Sequence, residues 1–166
     1  MKEFPKIYLL HGRGGSNNGS VKLLQEALEP VFPESEFIRP LLPHTNHKIE
    51  TPEDSIKTLE ELDIPNGSLL IGISLGGLVA AKLQEESRPD LTVICIVSPT
   101  RFKTMFLEKK MPNRVVFYSS QDEVIADRVS NWSKLAESHD LSWLDRDIDP
   151  HIPKLVDLIK EYLKDK

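Results

Sequence analysis

Six short stretches of this chain, most of them apolar without a break, alternate with stretches whose apolar residues recur at helical spacing. The stretches span residues 7–10, 36–39, 68–73, 91–97, 114–118 and 141–144. Unbroken apolar runs of this length suit strands buried on both faces, as in a parallel sheet. The segments between them supply the covering. Residues 20–29 place Val21, Leu24 and Leu28 on one face and stop at Pro30. Thr51-Pro52-Glu53-Asp54 reads as an N-cap, a proline at the first helical position and an acidic third residue, followed by the stripe Ile56, Leu59 and Leu62. Val129, Trp132, Leu135 and Ala136 mark a further helix, and Leu155, Val156, Ile159, Tyr162 and Leu163 the last. This βα alternation predicts a doubly wound α/β fold, with a mostly parallel six-stranded sheet and helices on both faces. At 166 residues the chain supports one such core rather than two, so residues 1–166 are expected to form a single domain.

The third strand runs into Gly72-Ile73-Ser74-Leu75-Gly76, and the helix after it, through Ala81, is apolar nearly all round. This is G-x-S-x-G between a strand and a helix, the context in which the motif has mechanical meaning. A tight strand-to-helix turn combines strained backbone angles with close packing, which glycine tolerates. The serine hydroxyl is thereby presented at the carboxyl edge of the sheet, where ligands of open parallel sheets bind.

A serine hydroxyl needs a base to take its proton, and the base needs an orienting acid. In this setting the expected chain order is serine, acid, histidine. Asp122 follows the fifth strand in Ser119-Ser120-Gln121-Asp122-Glu123, and His151 stands in Asp149-Pro150-His151 before the last helix. Glu123 is the nearest competing acid. Asp145, Asp147 and Asp149 are set aside as too close in sequence to His151 to orient it from behind. His139 is the rival base, rejected because it precedes the last predicted strand and so falls at the opposite edge. An oxyanion site is expected from His11-Gly12-Arg13-Gly14-Gly15-Ser16 after the first strand, with the backbone amides of Arg13 and Leu75 as its donors. The same loop could cradle a phosphate, but it lacks both the P-loop and the dinucleotide spacing.

Composition removes other classes. A net charge of −5 argues against nucleic acid or an anionic membrane as partner. There is no signal core behind the N-terminus and no stretch approaching a membrane span, so a cytoplasmic protein is expected. Cys95, the single cysteine, sits in an apolar run and reads as a core residue of a reducing compartment. His44 and His47 raise a metal reading with no third ligand in view, and a polar rim of the pocket is the better expectation. No metal or organic cofactor is needed for the chemistry above.

Together these residues resemble the α/β-hydrolase superfamily, from Ile7 to the final helix. Within it the chain looks like small lidless serine hydrolases such as the retinoblastoma-binding serine hydrolase group and short bacterial esterases. The resemblance implies a minimal six-stranded core, a triad of Ser74, His151 and Asp122, and a small-molecule acyl substrate. The departure is Pro150, where many relatives have glycine. Larger relatives insert a cap between the fourth and fifth strands; here residues 98–113 leave room for one short helical segment, with Met105, Phe106 and Leu107 as an apolar wall. An open site of this kind suits small carboxylic esters or thioesters. The alternatives are an acyltransferase with the same triad and a binding protein on a hydrolase scaffold.

Overall fold

Why the apolar runs lack the usual alternation is plain from the sheet they build. The structure, a computed structural model, describes residues 2–45, 51–122 and 131–166. The strands are β1 (Lys6–Leu10), β2 (Glu36–Ile38), β3 (Leu69–Ile73), β4 (Thr92–Ile96), β5 (Arg101–Phe102), β6 (Met105–Phe106), β7 (Arg114–Tyr118) and β8 (Glu137–Asp140). The helices are α1 (Ser20–Leu28), α2 (Glu53–Glu61), α3 (Leu75–Glu86) and α4 (Ile152–Leu163). Six strands form one sheet in the order β2-β1-β3-β4-β7-β8, and every pairing in it is parallel.

Helices cover both faces. Ile7 and Leu9 of β1 join a core with Leu24 and Leu28 of α1 and Leu155 and Ile159 of α4. Tyr8 and Leu10, one residue out of phase, join the opposite core with Leu59 of α2 and Leu78 of α3. Successive side chains of a strand point to opposite faces, so a strand covered on both sides must be apolar throughout. Growth of the sheet reverses between β1 and β3, since β2 lies on one side of β1 and β3 on the other. The crevice at the carboxyl ends of β1 and β3 is therefore the switch point where such sheets bind ligands.

Several expectations are corrected. The last strand is Glu137–Asp140, not residues 141–144. Its residues are polar because it is an edge strand, whereas Leu141, Trp143 and Leu144 pack into the core from the connection to α4. The helix expected around Val129–Ala136 is, in its described part, a 3-10 turn at Trp132–Lys134; Val129 lies outside the described residues. Between β4 and β7 there is no helical segment but an antiparallel hairpin of β5 and β6. Met105 and Leu107 of that stretch are buried and Phe106 faces outward, so the apolar wall is only partly realised. No cap domain stands over the sheet among the described residues. Helix α2 begins one residue later than expected, at Glu53 rather than Pro52, with the Thr51 hydroxyl donating to the Asp54 carboxylate at 2.7 Å. No described helix is long and apolar enough to cross a membrane.

Candidate active site

Ser74 leaves β3 with φ 52° and ψ −122°, a left-handed conformation that L-residues rarely adopt. It is held there from both sides: its N–H donates to Ile96 O at 2.8 Å, and its carbonyl accepts from Gly77 N–H at 3.0 Å. The flanking glycines are required by contact rather than by angle. A Cβ on Gly72 would stand 2.3 Å from Gly77 N, and one on Gly76 would stand 2.4 Å from Leu10 O. The start of α3 is thus seated directly on the ends of β1 and β3, which keeps Ser74 half-buried at the crevice. Backbone strain of this kind costs roughly 1–3 kcal/mol and persists where the surroundings over-determine it.

The loop after β1 comes up against the serine. A Cβ on Gly12 would stand 3.2 Å from Ser74 Cβ. A cleft of about 680 Å³ opens there, lined among others by Gly12, Arg13, Ser74, Thr45, Arg146 and Asp147. Leu75 is the first residue of α3, so its N–H has no intrahelical acceptor. The Gly14 and Gly15 amides are already committed, to His44 O and Gly12 O at 3.0 Å each. The Arg13 guanidinium lies 5.1 Å from the Phe102 ring, bringing the hairpin to this side of the cleft.

Asp122 stands just past β7, in a turn closed by its own N–H donating to Ser119 O at 3.2 Å. Ser120 N–H donates to the Asp140 carboxylate at 2.9 Å, tying that turn to the end of β8. Glu123, the competing acid, lies outside the described residues. His151 ends a 3-10 turn (Asp149–His151) ahead of α4, its ring 5.5 Å from that of Trp143. The turn is pinned to α1 by the Ser20 hydroxyl, which donates to Asp149 Oδ1 at 2.6 Å. The Asp145 carboxylate, set aside on sequence grounds, approaches His151 Nε2 to 3.6 Å. Arg146 and Asp147, close by in the chain, line the Ser74 cleft. Among the described residues no hydrogen bond joins Ser74, His151 and Asp122 to one another, and catalytic bonds are often long before substrate binds. His139, rejected as a base because it was expected ahead of the last strand, lies instead on β8, paired in register with Phe117 and bonded to Glu137 at 2.9 Å.

His44 is corrected most sharply. It is fully buried, not on a polar rim, and both ring nitrogens have protein partners: Nε2 with His11 O at 2.6 Å and Nδ1 with Ser55 Oγ at 2.8 Å. A metal would have to displace one of them. His47 lies outside the described residues. Burial lowers the His44 imidazole to about 4 and also lowers His11. Near neutral pH the His44 ring is thus neutral in the folded protein, while an unfolded chain takes up protons below about 6.5. The stability it contributes is complete above that value and is lost as the pH falls toward 4. We expect the urea midpoint to drop over this window, with His44 accounting for about 3 kcal/mol. A flat profile in equilibrium unfolding between pH 7 and 4 would contradict this. Cys95 is buried in the sheet and its thiol is pushed up to about 12 by burial, so it stays protonated and inert.

No family model and no curated protein matches the sequence. Solved structures do match. Alpha/beta hydrolase domain-containing protein 10 from mouse superposes with a TM-score of 0.76 at 13% identity, over 99% of this chain and 92% of that one. MGS-MChE2, an alpha/beta hydrolase enzyme from a lagoon-sediment metagenome, gives 0.72 at 17% identity, over 98% and 91%. Est1E from Butyrivibrio proteoclasticus gives 0.67 at 13% identity, over 99% and 88%. At these identities the likeness is one of fold: the chain has the α/β-hydrolase architecture in a minimal form.

Proposed function

We propose that the protein is a serine hydrolase acting on small carboxylic esters or thioesters through an acyl-enzyme on Ser74. The observation that carries this reading is the strained turn at Ser74, held beside the His11–Gly15 loop at the sheet's switch point. Strain at a single serine, enforced by two glycines and opening on a cleft, has no evident use in folding and a direct one in presenting a nucleophile.

In the reaction, His151 takes the Ser74 proton as Oγ bonds to the carbonyl carbon, and the carbonyl electrons move onto oxygen. The amides of Leu75 and Arg13 receive that oxyanion. When the tetrahedral species collapses, His151 gives its proton to the departing alcohol or thiol. Water repeats the sequence to release the acid and restore Ser74. Asp122 fixes the imidazole tautomer and balances the charge it acquires. Asp145 is the other carboxylate near the ring, 3.6 Å from Nε2, although at 66% side-chain exposure its field is screened by solvent.

The lack of a cap among the described residues supports small acyl groups over long chains. The reading is tested by treating the protein with a fluorophosphonate and locating the adduct by mass spectrometry. The expected result is one adduct on Ser74 and none in Ser74→Ala. A folded protein that does not label would overturn the hydrolase reading in favour of a binding role.

A further inference from the structure

We infer that His44 is a positioning residue for catalysis, fixing the His11–Gly15 loop so that its oxyanion-binding amide faces Ser74; this rests on the hydrolase reading above. His44 lies in the 3-10 turn Pro43–Thr45, with no chain connection to the cleft loop closer than β2. Its turn nevertheless grips that loop at three points. His44 Nε2 donates to His11 O at 2.6 Å, the His44 carbonyl accepts from Gly14 N–H at 3.0 Å, and the Thr45 hydroxyl donates to Gly15 O. These bonds bracket Arg13 on both sides. The His11 ring adds a fourth tie, accepting from Leu42 N–H through Nε2 at 2.9 Å.

The partners dictate the protons. Leu42 N–H can only donate, so His11 Nε2 accepts and its proton sits on Nδ1, facing Gly12 O at 2.9 Å. His11 O can only accept, so His44 carries its proton on Nε2. Its Nδ1 therefore accepts from the Ser55 hydroxyl of α2. Ser55 is fully buried on the core-facing side of α2, beside Ile56 and Leu59. Its hydroxyl holds the unprotonated Nδ1 and so fixes the orientation of the His44 ring, whose Nε2 holds the loop. The chain thus runs from α2 through Ser55, His44 and the His11 peptide to the cleft. A displacement of about 1 Å at an oxyanion donor costs on the order of 100-fold in rate, so a clamp on this loop acts on the chemical step.

Glutamine and asparagine separate this role from simple packing. The side-chain amide of Gln reaches the place of Nε2, whereas that of Asn reaches only the place of Nδ1. In steady-state hydrolysis of a p-nitrophenyl acyl ester, His44→Asn is expected to lower kcat about 100-fold with KM within about twofold. His44→Gln is expected to recover most of that loss. Equal losses in the two variants, or a loss carried by KM, would overturn the role. Should His44→Asn not fold, Ser55→Ala reads the same chain, with about a 10-fold fall in kcat expected and an unchanged kcat contradicting it. Amide hydrogen exchange separates the two readings. Faster exchange at Gly14 in His44→Asn supports the clamp, and unchanged exchange overturns it. Failure of the wild type to label with fluorophosphonate overturns the hydrolase reading instead, and with it the catalytic consequence of the clamp.

Discussion

Ser74→Ala is expected to reduce turnover of a small acyl ester by about 10,000-fold or more while leaving the fold intact. The loss is large because in the proposed mechanism every covalent step passes through the one oxygen. The fold survives because what holds the turn is backbone: Ile96 O, Gly77 N and the packing of Gly72 and Gly76. Alanine keeps a Cβ at φ 52° and so keeps the strain. Glycine would release it. Ser74→Gly should therefore be as inactive as Ser74→Ala yet more stable than the wild type, by about 1 kcal/mol in urea unfolding. A Ser74→Gly variant no more stable than wild type would mean that the turn stores no strain. The acid is assigned by the companion pair. Asp122→Asn is expected to cost about 1,000-fold or more, and Asp145→Asn less than about 10-fold, because Asp145 is largely in solvent. The reverse ranking would transfer the acid role to Asp145.

What could be read ahead of the structure follows from what burial does to composition. The central strands were legible because both their faces are covered, which leaves no position for a polar residue. Strand β8 was not, for the opposite reason. Its sequence Glu137-Ser138-His139-Asp140 is that of an edge strand with half-exposed side chains, and the apolar residues just beyond it drew the strand assignment forward. The hairpin of β5 and β6 is two residues on each side, too short for either periodicity to show. Ser74 and the His11–Gly15 loop were legible because glycine spacing reports close backbone approach directly. The burial of His44 was not, since it depends on a carbonyl and a hydroxyl distant in sequence. The sequence stripe of α2, Ile56, Leu59 and Leu62, gave no sign that Ser55 beside it is a core position whose hydroxyl needs a partner.

Arg114 is the other feature that sequence patterning conceals, and its loss should cost the most stability. It opens β7 and is fully buried, a placement that charged residues reach only when every donor is met. Here they are. Nε donates to Gln84 Oε1 at 2.9 Å, Nη1 to the carbonyls of Lys109 and Leu135 at 2.9 and 3.2 Å, and Nη2 to Ala81 O and Glu85 Oε1 at 2.8 and 3.2 Å. One side chain thus joins the end of α3, the connection after the hairpin and the segment before β8. Glu85, itself buried, also accepts the N–H groups of Glu108 and Lys109 at 2.9 and 3.3 Å. Arg114→Met removes a charge whose partner stays behind in low dielectric, and we expect a loss of about 3–5 kcal/mol in urea unfolding. Glu85→Gln should cost less, because the amide keeps shape and a hydrogen-bonding oxygen. Combining Arg114→Met with Glu85→Gln should recover part of the loss, since Glu85 then no longer carries a buried charge faced, among the described residues, only by Lys82 Nζ at 3.7 Å. Strict additivity would show that Arg114 acts through its carbonyl partners alone and that the ion pair contributes nothing. Either way the cleft should be spared: the network lies at the amino end of β7, opposite the edge where Ser74 stands, so esterase turnover at temperatures well below unfolding is expected to persist.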